Sequence, residues 1–180
     1  MLSLLNHYSH GRAAWFLLFL STFIFELTAL YFQYGLGLAP CTLCIYQRCA
    51  IFGIMLASII GLIKPNNFIF RLIGILIWLI SAYKGFTLAT FHAHLQFEPN
   101  LSDTCSINVQ FPSWLPLNQW LPSMFNAYGS CADKIWTFLT IEMSQWMIII
   151  FTCYFLVGLA VFIAQFFSAR KHNVKPEALL

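Results

Sequence analysis

The chain has 180 residues, 60% of them hydrophobic, 18% aromatic and only 8% charged, a balance that excludes a water-soluble core and describes a protein seated mostly in lipid. Its net charge of +3 is small and dispersed, with no basic block longer than Arg170-Lys171, so nucleic acid is excluded as a partner. No Ser/Gly linker, internal repeat or low-complexity tract divides the sequence, and one integral-membrane domain over residues 1–180 is expected.

In chain order, four apolar stretches are long enough to cross a bilayer, since about 20 helical residues span about 30 Å of hydrocarbon. The first, 13–34, follows Arg12 and precedes Gly37-Leu38-Ala39, which resembles a signal cleavage site. Ala13 to Leu30 nevertheless outruns a signal core of roughly 7 to 15 residues, so an uncleaved span is expected. A short loop, 35–43, leads into the second span, 44–63, and the third covers 72–90. A long loop, 91–144, then holds Cys105 and Cys131 before the last span, 145–167. The expected fold is an all-α membrane protein, a bundle of four transmembrane helices.

Arg12, Lys64, Arg71, Arg170, Lys171 and Lys175 flank one set of span ends, whereas Lys134 is the only Lys or Arg in the opposite loops. Both termini are therefore expected in the cytoplasm. Loops 35–43 and 91–144 then face the compartment where disulfides persist, in a bacterium the periplasm, and they carry or border Cys41, Cys44, Cys105 and Cys131. Loops as long as the second are usually functional. Its run Phe111-Pro112-Ser113-Trp114-Leu115-Pro116-Leu117-Asn118-Gln119-Trp120-Leu121-Pro122 suits short helical turns at headgroup level, as an aromatic belt or a docking surface.

Pro40-Cys41-Thr42-Leu43-Cys44 opens the second span, and Arg48 follows Cys44 by one turn, about 6 Å along a helix. A helix N-terminus and a nearby cation both favour the thiolate, so Cys41 and Cys44 are candidates for redox chemistry at the membrane surface. Arg48 also lies where it could simply snorkel to the headgroups. His92 and His94 compete for a hydrogen-bonding or proton-handling role at the end of the third span. Glu26 and Lys84 fall about 10 Å inside the same boundary and are expected to pair with each other. Cys49 and Cys153 are expected to be small buried apolar residues.

Taken together, the four spans, the Pro-Cys-x-x-Cys, the following Arg48-Cys49 step, His92, the second cysteine pair and Phe111-Pro-x-Trp-Leu-Pro-Leu resemble the bacterial disulfide bond formation protein B (DsbB) family over essentially the whole chain. Gln47 departs from relatives in which an acidic residue stands there. The resemblance implies a protein-disulfide:quinone oxidoreductase of the bacterial inner membrane. Cys105 and Cys131 would form the loop disulfide that accepts electrons from a reduced DsbA-like thioredoxin-fold periplasmic protein, with Cys105 in the mixed disulfide. Cys41 and Cys44 would pass them to ubiquinone or menaquinone from the membrane pool, with Arg48 and His92 beside the quinone and no metal required. Two other readings are a tetraspan scaffold with structural disulfides and a membrane protein binding zinc through Cys41, Cys44, His92 and His94. The vitamin K epoxide reductase family also pairs quinone chemistry with two cysteine pairs, but its Cys-x-x-Cys lies late in the chain.

Overall fold

The computed structural model describes residues 9–97, 109–113, 115–132 and 136–167. Cys105, Trp114 and Lys134, and the cations Arg170, Lys171 and Lys175, lie outside the described residues. Four helices are long and apolar enough to cross a membrane, as the hydropathy pattern requires. Helix α1 spans Arg12–Leu30 and runs on as a π-helical turn, Tyr31–Gly35, which ends short of Gly37 in the left-handed region at φ +66°. Helix α2 is Thr42–Ile63 and α3 is Phe68–Phe97. Two single-turn helices, α4 (Leu117–Trp120) and α5 (Pro122–Phe125), sit in the long loop. A two-stranded antiparallel ribbon, β1 (Thr137–Phe138) with β2 (Ile141–Glu142), leads into α6, Met143–Phe167.

Of the boundaries that move from their expected places, which include the starts of α3 and α6, two have distinct physical reasons. Helix α2 starts at Thr42 because Cys41, in extended conformation, caps it: its Sγ accepts the Cys44 backbone N–H at 3.2 Å. Helix α3 continues beyond the apolar run to Phe97, so the second loop does not begin at residue 91 and His92 belongs to a helix. Hydropathy measures how much chain lies in hydrocarbon, whereas a helix stops where backbone or capping requires it. Between Phe86 and Phe97 there is no Gly or Pro, and Pro99 follows at once.

Each helix packs on its sequence neighbour, α1 on α2, α2 on α3 and α3 on α6. Close approach is possible because glycine stands where large rings cross. A Cβ at Gly61 would enter the Trp15 indole, and one at Gly85 the ring of Phe151, which is itself wholly buried. The core is Ile51, Ile54, Ala57, Trp78, Ala82, Ala89 and Phe151, while Leu17, Ile24, Ile69, Ile80 and Leu156 point outward, as lipid-facing residues do. At the end opposite the cysteine pair, buried Arg71 ties the elements together through Gln165 Oε1 at 2.6 Å and the Pro65 carbonyl at 2.9 Å.

The long loop folds down onto the cysteine end of α2. Phe111 and Phe125 meet edge to face at 5.9 Å between centroids, Phe125 reaches Phe52, and Tyr46 reaches Phe111. Val109 and Phe125 thereby bury Ile45, and Cys49 packs against the same cluster. The expected short helical turns are present as α4 and α5, tied to α1 by hydrogen bonds from Gln33 Nε2 and Tyr34 Oη to the Ser123 carbonyl.

Candidate functional site

The cap that starts α2 also builds the site. Cys41 is buried at the N-cap, and one turn of helix returns Cys44, half-buried, to its side. Both are free thiols. A hydrogen bond with the Cys44 side chain, and then burial, raise the pKa of the Cys41 thiol above its ordinary value, so the proton of a singly ionised pair stays on Cys41.

His92 approaches from α3. Its Nε2 lies 3.7 Å from Cys41 Sγ, and two amides hold the ring: Gln47 Nε2 is 3.3 Å from Nδ1 and Gln96 Nε2 is 3.4 Å from Nε2. The hydroxyl of Ser144, on α6, donates to Gln96 Oε1 and so turns the Gln96 NH2 toward the imidazole. The ring is thus held between the two amides, with Nε2 the nitrogen turned toward Cys41. His94, one residue pair along the same helix, is exposed on another face. Of the two candidate histidines, His92 is the one brought to the cysteines.

Arg48 does not snorkel. Its side chain is buried, with Nε 3.3 Å from Glu26 Oε2, and Nη1 donates to Gln33 Oε1 at 2.9 Å and to the Met124 carbonyl at 3.2 Å. The expected Glu26–Lys84 pair is therefore corrected: Glu26 pairs with Arg48, and Lys84 is exposed. Residue counting placed Lys84 at the right depth, but depth along a helix says nothing about the direction a side chain takes around it. Cys153 is likewise exposed rather than buried. It lies on the wall of a cleft between α1 and α6.

The second cysteine pair reaches this site through Cys131. The segment before it docks on the α2 cap, where Tyr128 and Gly129 N–H groups both donate to the Pro40 carbonyl. A side chain at Gly129 would collide with the Ala39 carbonyl oxygen, 2.5 Å from its Cβ. Cys131 is thereby buried in one apolar cluster with Cys41, Leu43 and Leu95, with Cys44 packed against it. It is disulfide-bonded, and its backbone also hydrogen-bonds the His92 ring.

Cys44, Arg48, His92, Glu26, Gln33, Gln47 and Ser144 open onto a cavity of about 370 Å³. Phe25, Phe32, Trp136, Phe138, Trp146 and Met147 form much of its remaining wall. Such a chamber, apolar with convergent polar groups at one end, suits a flat apolar ring carrying hydrogen-bond acceptors. It shares Phe25, Trp146 and Ile150 with a second cleft of about 500 Å³ between α1 and α6, lined also by Leu18, Val157 and Val161. Sequence reasoning missed Glu26, Gln33, Gln96 and Ser144 as members of this site. Their signal was present as uncharged or acidic polar residues interrupting apolar runs, with Gln96 one turn beyond His92.

Four helices of membrane-spanning length with a partly buried Cys-x-x-Cys dithiol at one end define the class of a multi-pass membrane thiol protein. Comparison with known proteins carries this further. The profile of the family described as disulfide bond formation protein DsbB matches residues 11–161. Disulfide bond formation protein B of Sodalis glossinidius is 49% identical over 174 residues, covering 97% of this chain and 98% of that protein. Those of Vibrio parahaemolyticus and Photorhabdus laumondii are each 48% identical, over 95% and 94% of this chain and 96% and 100% of their own lengths. The chain belongs to the DsbB family and is an oxidoreductase of disulfide bond formation.

Proposed function

We propose that the chain oxidises a DsbA-like dithiol protein in the periplasm and delivers the two electrons to quinone of the bacterial inner membrane. The observation that carries this reading is the cavity that has Cys44, Arg48 and His92 on its wall while Cys131 packs against Cys41 behind it.

The steps balance as thiol exchange. Reduced partner attacks the Cys105–Cys131 disulfide at Cys105, releasing Cys131 as a thiolate, and leaves oxidised once its second thiol displaces Cys105. Cys131 then attacks Cys41 in the Cys41–Cys44 disulfide, because these sulfurs share one buried cluster. Cys44 is released as a thiolate beside the cavity, Cys105 closes the loop disulfide, and Cys41 is left as a thiol. When bound, the quinone supplies a two-electron, two-proton acceptor. His92 Nε2, 3.7 Å from Cys41, takes the Cys41 proton as Cys41 and Cys44 re-form their bond, and Gln47 and Gln96 hold the ring for that transfer. The Arg48 guanidinium stabilises negative charge first on Cys44 and then at the cavity wall.

The apolar α1–α6 cleft, which shares Phe25, Trp146 and Ile150 with the cavity, supports an acceptor with an apolar tail. Arg12, Lys64 and Arg71 near the opposite helix ends support cytoplasmic termini and a periplasmic cysteine face. The test is quinone reduction by purified protein supplied with a reduced thioredoxin-fold dithiol, using ubiquinone and menaquinone analogues. Turnover with one or both is expected, and none with either would return the chain to a tetraspan scaffold.

A further inference from the structure

The sulfurs of Cys41 and Cys44 and a ring nitrogen of His92 all lie within 4.8 Å of one another, two of the residues buried and Cys44 half-buried. We propose that the reduced Cys41–Cys44 pair and His92 form a capture site for a thiophilic d10 cation, zinc or cadmium, which holds the dithiol out of turnover. The geometry needs little change. Tetrahedral coordination with metal–sulfur and metal–nitrogen bonds near 2.3 and 2.05 Å puts ligand sulfur and nitrogen about 3.6 Å apart. Cys41 Sγ and His92 Nε2 are 3.7 Å apart.

Nε2 is the ring nitrogen that faces Cys41 Sγ, and on coordination it gives its lone pair to the cation in place of the Gln96 contact. The Gln47 amide, 3.3 Å from Nδ1, can turn its oxygen to accept the ring proton there, the outer contact that metal-bound histidines usually have. Charge favours occupancy as well. Two thiolates, one neutral imidazole and one dication sum to zero, and Arg48, one turn along the helix from Cys44, is already paired with Glu26 at 3.3 Å. Three protein ligands leave a fourth position for water.

Capture breaks two S–H bonds, forms two metal–sulfur bonds and releases two protons, with no electron transferred. Each thiolate is then bound to the cation, so the disulfide does not form until the ion leaves. That inhibition rests on the quinone reading; the capture itself does not. His94, exposed on another face, is no ligand, so the site is Cys2His rather than Cys2His2.

The test uses full-length chain carrying Cys49→Ser, Cys105→Ser, Cys131→Ser and Cys153→Ser, leaving one cysteine pair, with cadmium as the probe in equilibrium dialysis. One ion should bind the reduced form, with near-ultraviolet thiolate-to-cadmium absorption, and none the oxidised form. His92→Ala should weaken binding tenfold or more, and because two protons are released the affinity should rise up to about a hundredfold per pH unit below the thiol pKa values. As a check independent of those substitutions, cadmium should protect Cys41 and Cys44 of the reduced wild-type chain from alkylation, and His92→Ala should remove that protection. Absence of binding to the reduced pair, or binding and protection unchanged by His92→Ala, would overturn the proposal. If cadmium binds as described but the metal-free wild-type protein never reduces quinone, the quinone reading falls and the capture site stands.

Discussion

Arg48 has two tasks that substitution separates. Its charge neutralises Glu26 in a buried environment, and its Nη1 holds Gln33 and the Met124 carbonyl at the cavity wall. Arg48→Met leaves Glu26 buried and unpaired, a loss of about 3–5 kcal/mol where a buried pair is broken from one side. Glu26→Gln with Arg48→Met should recover much of the folded yield in detergent but not the apparent affinity for quinone. A double-mutant cycle in folded yield reads the coupling, and a value near zero would remove the pair. At Cys44, Cys44→Ser should abolish quinone reduction while the loop disulfide still exchanges with reduced partner in one stoichiometric round. Catalytic quinone reduction by that variant would refute the electron route. Residue by residue, the cysteines were legible because two-residue spacing at a span boundary has few structural uses. The Glu26–Arg48 contact was not, since two helices must be placed side by side before their facing residues are known.

At the scale of elements, function depends on how the loop is seated. Gly129 permits two N–H groups to reach the Pro40 carbonyl, and Cys131 is buried against Cys41 two residues later. Gly129→Val should lift that segment, because its Cβ would stand 2.5 Å from the Ala39 oxygen. Turnover with a reduced protein partner should fall at least tenfold, while quinone reduction driven directly by a small dithiol should change less than twofold. Equal loss in both assays would mean that Gly129 acts on folding and not on transfer between pairs. The four long helices were legible because the bilayer imposes their length and apolarity. The seat of the loop was not, for its contacts join residues far apart in sequence, such as Arg48 to Met124 and Gln33 to Ser123. The extension of α3 was not legible for the converse reason: His92, His94 and Gln96 interrupt its apolar run, and His92 and Gln96 belong to the site.

For the whole molecule, the consecutive packing of α1, α2, α3 and α6 leaves a cleft between the first and last helices. Val157 lines that cleft thirteen residues along α6 from Ser144, and is exposed. Val157→Trp should therefore raise the apparent KM for a long-tailed quinone severalfold and leave a tailless analogue nearly unaffected. An equal effect on both would show that the cleft does not carry the tail. The direction of insertion is a separate question, because a helix bundle packs identically whichever way it crosses the bilayer. The cations argue for cytoplasmic termini: Arg12, Lys64 and Arg71 lie near one set of helix ends, while the cysteine pair and the α4–α5 segment occupy the other. Cysteines introduced at Ser3, Asn67 and Ser123 and treated in intact cells with an impermeant thiol reagent should label at Ser123 alone. Background from the native thiols, Cys44 among them, is read in the chain without introduced cysteines, and the same labelling after permeabilisation confirms that Asn67 is reactive when reached. Labelling of Asn67 in intact cells would place the α2–α3 turn outside, put the Cys41–Cys44 pair on the reducing side of the membrane, and remove the reason for a periplasmic partner.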